Sequence, residues 1–266
     1  TQNTNAFNIG RKAVSDPHWI DTIDLYRSGS LASKLILSSD ALSLIDSISP
    51  DEELRKILEY RTQELIEYQN LSYAKEYINF VGNIFEKEQK TRSSSELSQN
   101  VAKYLFKLMA TKDEYEVARL SLKTELDSAI SKEFGKSAKI NYMLHPPFLK
   151  AMENIPILNM LPGVKSKLAL GSWFKFFYLM LRNMKFLRGT PFDFMAWFSS
   201  DVRKADKKAL NHYKTILENN IDEIGNGKYQ DLKEFSLLPD IIRGYEEVRL
   251  ASMDEFFAQS DKVLNN

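Results

Sequence analysis

The densest run of chemistry-bearing side chains is Lys112-Asp113-Glu114-Tyr115-Glu116-Val117-Ala118-Arg119. On a helix, residues three and four apart share a face, so Lys112 is expected to meet Glu116, and Tyr115 and Glu116 to meet Arg119. Such a cluster can clasp a substrate carboxylate or a neighbouring domain. Helix charges more commonly pair with one another and lock helices together. A second place is Leu144-His145-Pro146-Pro147-Phe148, where the two prolines stiffen the chain after His145. Imidazole is the natural acid and base near neutral pH. No partner for His145 is legible nearby, and a histidine bonded to backbone at a strand end is the simpler reading. In Leu187-Arg188-Gly189-Thr190-Pro191-Phe192-Asp193, Gly189 permits a sharp turn across which Arg188 and Asp193 can bridge. In Ile242-Arg243-Gly244-Tyr245-Glu246-Glu247, Arg243 can reach back to the carbonyls of a preceding helical turn. Arginine suits partly buried ion pairs, so Arg188 and Arg243 read as structural anchors before ligand contacts.

Several chemistries are excluded within this chain. There are no cysteines, hence no disulfides, no thiolate metal or iron–sulfur ligands and no cysteine nucleophile. Neither a P-loop nor a dinucleotide fingerprint occurs, and no H-E-x-x-H; the three histidines, His18, His145 and His212, are too far apart for a metal-binding motif. No G-x-S-x-G elbow is found. The paired acids Asp51-Glu52-Glu53 and Glu246-Glu247 fall near expected helix starts, where the dipole explains them without catalysis. No catalytic residue and no metal ligand is assigned.

The positioning elements follow from apolar periodicity. Helices are expected over about 4–14, through Trp19 to Leu25, over 51–69 and 71–89, and from Leu97 to Leu108. A long helix through Val202, Ala209, Tyr213 and Ile216 is stopped by Gly225 and Gly227, and helices follow at 229–237 and 245–263. Lys139–Leu144 alternates polar and apolar residues as a strand does and can pair with Lys165–Leu170. Asn154 to Gly163 reads as an irregular loop. Trp173 to Leu187 is too short and too charged to span a membrane and reads as a buried core helix. The expected class is mainly α, a multi-helix domain with one small β-hairpin. Residues 1–39 read as a tail and connection, and residues 40–266 as the helical domain.

The 36 basic residues balance 36 acidic ones, which gives no bulk attraction to nucleic acid. Tyr60, Tyr68, Tyr73 and Tyr77 can stack on bases, but Glu59, Glu64, Glu67 and Glu76 run beside them and would repel phosphate; helix packing is the better account. The first residues carry no secretory signal, so a cytoplasmic protein without membrane contact is expected. The non-Met start suggests a piece of a longer chain.

Four segments in order resemble the C-terminal helical region of the fused indolepyruvate ferredoxin oxidoreductase family. They are Val101 to Leu120, containing K-D-E-Y-E-V-A-R-L, then Leu144-His145-Pro146-Pro147, Leu187-Arg188-Gly189-Thr190, and Ile241 to Val248. Ala6-Phe7-Asn8-Ile9-Gly10-Arg11-Lys12-Ala13 resembles the tail of that family's preceding catalytic domain. In the family's H-L-A-P-P segment the histidine stands where this sequence has Met143, and His145 replaces the alanine. The resemblance implies an enzyme that decarboxylates an aryl 2-oxo acid on thiamine diphosphate and Mg²⁺, passes the acyl group to coenzyme A and sends electrons through [4Fe–4S] clusters to ferredoxin. It places those cofactors outside this chain. The chain would be a non-catalytic domain that packs on the catalytic domains of the same polypeptide or mediates subunit contacts in a homo-oligomer. Two other readings stand beside it: an independent helical protein-interaction module, and a stand-alone enzyme using Glu114, Arg119 or His145.

Overall fold

The computed structural model describes residues 37–123, 132, 135, 141–144, 168–193, 195–196 and 200–264. The chain divides after Ile36, and the unit from Leu37 to Asn266 holds every described residue. The helices expected before residue 30 and the loop from Asn154 to Gly163 lie outside the described residues.

The helices are α1 (Ser39–Asp46), α2 (Glu52–Tyr68), α3 (Leu71–Arg92), α4 (Glu96–Met109), α5 (Glu114–Ser121), α6 (Phe174–Asn183), α7 (Ser200–Asn220), α8 (Tyr229–Leu237) and α9 (Glu246–Leu264). The mainly α class therefore holds. Strands β1 (Tyr142–Leu144) and β2 (Leu168–Leu170) pair antiparallel, with Met143 opposite Ala169. This three-residue ladder is the β structure among the described residues; the chain joining its strands lies outside them.

Helix starts follow side-chain capping. Asp51 accepts from the Leu54 amide, Asn70 from that of Tyr73 and Asp113 from that of Glu116. Each satisfies a donor that the first turn leaves open. At α4 Ser95 makes no such bond. Glu88 of α3 takes its place, accepting from the Leu97 and Ser98 amides at 2.9 and 2.8 Å, from Ser98 Oγ and from the Tyr229 hydroxyl. A fully buried carboxylate at a helix N-terminus is thus satisfied by four donors.

Two apolar clusters form. The larger joins α1–α4 with α7–α9 around Leu58, Tyr77, Val101, Tyr213, Phe235 and Phe256. Its tyrosines keep their hydroxyls paired: Tyr77 donates to the Ala102 carbonyl and Tyr213 to that of Ser236. The smaller packs Tyr115 and Ala118 of α5 against Phe174, Tyr178 and Leu181 of α6, with Tyr142 beside them. One expectation is corrected here. The stretch Trp173 to Leu187 is not a buried core helix: Phe174, Tyr178 and Leu181 point inward, whereas Trp173, Phe176, Leu179, Met180 and Phe186 face outward. Apolar residues on both sides of a helix do not say which side finds a partner. Among the described residues no helix is long and apolar enough to cross a membrane.

Candidate functional site

The expected charged run does lie at a focus of contacts, and its pairs follow local spacing only in part. Helix α5 begins only after Asp113, its N-cap, so Lys112 precedes the helix and is exposed. The expected Lys112–Glu116 pair therefore does not form, whereas the expected Glu116–Arg119 pair does: Glu116 takes a bidentate grip on Arg119, with Nε donating at 2.9 Å and a terminal nitrogen at 2.8 Å. The same guanidinium donates at 2.6 Å to both Glu64 and Glu67 of α2, and Lys123 donates to Glu64 at 2.7 Å. The Arg119, Glu64 and Glu116 side chains are each about 8% exposed or less. Burial opposes charge on Arg119, but the hydrogen bonds it donates to Glu116 and Glu64 outweigh it and raise its pKa. Burial likewise opposes charge on Glu64, and its bonds from Lys123 and Arg119 hold its carboxyl below the usual range.

Arg188 makes the second focus. The expected bridge to Asp193 does not form. Arg188 instead grips Asp113 bidentately at 2.5 and 2.9 Å and donates at 2.7 Å to the Tyr68 carbonyl and to the Gln69 side chain. Its guanidinium lies 3.8 Å from the Tyr68 ring centre. It therefore ties the C-terminal end of α2 to the N-terminal end of α5, satisfying one open carbonyl and gripping the capping carboxylate. Lys185 adds a bond at 2.5 Å to the Glu67 carbonyl on the same helix end.

Asp193 makes the third. It is 1% exposed and accepts from the Gly189 amide, from the Tyr115 hydroxyl at 2.9 Å and from Arg203 at 2.8 Å. Gly189 sits at φ 75°, the left-handed region that its missing Cβ allows and that the turn bringing Asp193 back requires. Arg203 of α7 also donates to Glu114 at 2.6 Å. Burial, then the bond to Asp193, raises the Tyr115 pKa far above its ordinary value, so the phenol stays a neutral donor.

Of the residues singled out from sequence, Asp113, Glu114, Tyr115, Glu116, Arg119 and Arg188 converge here. Arg243 does not: it sits beyond a 3-10 turn, exposed, and reaches back to the Asp240 carbonyl and carboxylate. His145 lies outside the described residues. Sequence reading missed Glu64, Glu67, Lys123, Lys185 and Arg203 as partners, because their bonds to one another and to α5 span 52 to 119 positions, with Arg203 reaching Asp193 across 10. No local signal marks such pairs.

Chemically this is a clamp. Each of these carboxylates faces a guanidinium or ammonium group, and Arg119 occupies the point where Glu64, Glu67 and Glu116 converge. Among the described residues no group of His, Cys, Asp and Glu is arranged to hold a metal ion. With no thiolate in the chain, its residues do not fit an iron–sulfur cluster. What the network does is join the smaller apolar cluster, on α5 and α6, to the helical bundle through α2 and α7.

A family model described as a family of unknown function, DUF6537, matches residues 54–262. The match spans most of the chain and every element of the clamp, and the chain belongs to that family. No curated protein and no solved structure matches it.

Proposed function

We propose that this DUF6537 member is a non-catalytic domain of an indolepyruvate (2-oxo acid) ferredoxin oxidoreductase, serving to pack on the catalytic domains or to form subunit contacts. The reading rests on the resemblance of its segments, and one observation carries the structural role. Two of those segments meet at Arg188 and Asp113, and the ionisable groups there are spent on one another. A site that turns over substrate keeps an acid, base or nucleophile open toward a cleft. Here the carboxylates are gripped and the Tyr115 phenol is held neutral by burial and Asp193. In this reading thiamine diphosphate, Mg²⁺, the [4Fe–4S] clusters, coenzyme A and ferredoxin engage the rest of a longer cytoplasmic polypeptide.

The test uses the longer encoded polypeptide. It should carry a C-x-x-C-x-x-C cluster motif before Thr1 and turn over arylpyruvate with coenzyme A and ferredoxin. Arg119→Met in that protein should lower thermal stability and leave kcat of the folded fraction within about twofold, as expected for a group outside the transition state. A kcat loss beyond tenfold at unchanged stability would overturn the non-catalytic role. A second reading, an independent helical interaction module, is favoured by the exposed aromatic face of α6. It predicts a native chain close to this length without upstream cluster motifs.

A further inference from the structure

Arg61 of α2 departs from the pattern that the clamp sets. Every other buried or half-buried arginine among the described residues donates to an aspartate or glutamate: Arg55, Arg119, Arg188, Arg203 and Arg249 do so at 2.7 Å or less. Arg61 is half-buried and has no carboxylate partner among those residues. Its Nε is buried without an acceptor, and its guanidinium lies 5.4 Å from the centre of the Phe106 ring of α4. Burial opposes its charge and lowers its pKa; the groups acting the other way are the Tyr77 and Tyr60 phenols, neither of them an anion at neutral pH. Native proteins rarely leave a buried donor unmatched, and a charge held from water without a counter-charge weakens the fold. The face of Phe106 offsets part of that loss but leaves the N–H groups of the fork unpaired.

We propose that Arg61 is a binding site for the carboxylate of a small-molecule ligand, gripped by the guanidinium fork where α2 meets α4. This adds ligand binding to the packing role. The protein itself indicates the acceptor: Arg119 and Arg188 close their forks bidentately on Glu116 and Asp113. Among the described residues no second cation acts on Arg61. The local charge therefore matches one carboxylate better than a phosphate, which carries more charge and three acceptor oxygens. The surroundings indicate a small ligand. Tyr60 is the one large apolar side chain that α2 and α4 expose, so the apolar centre on which protein interfaces are built is missing. The site is also preformed, because the arginine is already seated over Phe106 and little ordering is needed to bind.

Nitrogen NMR of the arginine Nε–H groups in the 266-residue chain tests this. Sodium acetate is titrated to about 50 mM against sodium chloride at equal ionic strength; a fragment this small should bind with a Kd of about 1–10 mM. Acetate should shift the Arg61 signal saturably, leave those of the paired arginines in place, and raise Tm over chloride by about 2–8 °C. Arg61→Met keeps the stem over Phe106 and removes the fork. It should abolish both effects of acetate and match or exceed the native Tm in chloride, because an unpaired charge has left the interior. Arg61→Lys keeps the charge without the fork and should weaken acetate binding by about fivefold or more. An Arg61 signal and a Tm that answer acetate no more than chloride would overturn the proposal, as would an acetate effect that survives Arg61→Met. So would a Tm fall beyond about 5 °C for Arg61→Met in chloride, which would place the acceptor within the chain. Inorganic phosphate binding about tenfold or more tighter than acetate would overturn the assignment to a carboxylate.

Discussion

Replacing Arg119 by Met isolates the contribution of the clamp. The side chain is long and apolar, so it keeps most of the packing of the arginine stem and removes only the guanidinium. What remains is Glu116 without a cation, Glu67 at the surface, and Glu64 with Lys123 alone. Glu64 and Glu116 are 7 and 8% exposed, so neither can be rehydrated without opening the α2–α5 contact. Removing one partner of a buried ion pair costs about 3–5 kcal/mol, most of it the burden of the stranded charge. For a domain of this size that is roughly 6–20 °C in Tm. Urea denaturation at pH 7.5 measures it directly. The pH dependence separates this cause from lost packing. In the native protein the Glu64 pKa lies below its unfolded value, so its contribution is complete above that value and is lost as pH falls through the folded one. In the variant the stranded carboxyls gain by taking up protons, so the deficit should shrink between pH 7.5 and 4.5. Adding Glu64→Gln and Glu116→Gln to Arg119→Met should recover more than half of the loss. A deficit under about 1 kcal/mol at pH 7.5, compared with the 3–5 expected, or one flat with pH, would refute the reasoning.

Other substitutions probe the remaining contacts. Tyr115→Phe removes one of the donors to Asp193 but leaves Arg203 and the Gly189 amide, so it should cost about 1–2 kcal/mol in urea denaturation. Glu88→Ala strips the cap from α4 and strands the Tyr229 hydroxyl; a loss of about 2–3 kcal/mol is expected, with faster amide hydrogen exchange at Leu97 and Ser98. Burial lowers the His212 pKa, with Lys208 acting in the same direction and Asp261 against it. A depressed folded pKa means that its contribution is present above about 6.5 and lost as pH falls toward the folded value. His212→Phe should therefore flatten the stability of the protein between pH 7.5 and 5.5, and an unchanged slope would count against that assignment. Arg188→Lys keeps the charge but loses the fork that joins Asp113 to the end of α2, and should lower Tm by several degrees.

The sequence alone determined what repeats along the chain. Leu54, Leu58, Leu65, Tyr77 and Ile84 recur at helical spacing, and the helices α2 and α3 they mark begin and end within a few residues of the expected bounds. Asp51, read from sequence only as an acid at a helix start, and Asn70, not singled out there, prove to cap them. The charged run around Tyr115 was legible as a cluster because its members are neighbours in sequence. Helix α1 was missed, since at eight residues it is too short for its periodicity to stand apart from a connection. The Glu116–Arg119 pair within α5 followed from helical spacing; only the tertiary structure decided which residues pair across elements. Arg119 chooses Glu64 and Glu67 because α5 packs near the end of α2, and Arg188 chooses Asp113 over Asp193 because the turn at Gly189 carries it to that same end. The outward face of α6 teaches the same lesson. Hydrophobicity says that a surface gains by leaving water, but it is non-directional, so the fold alone decides which face is covered within the chain and which stays exposed.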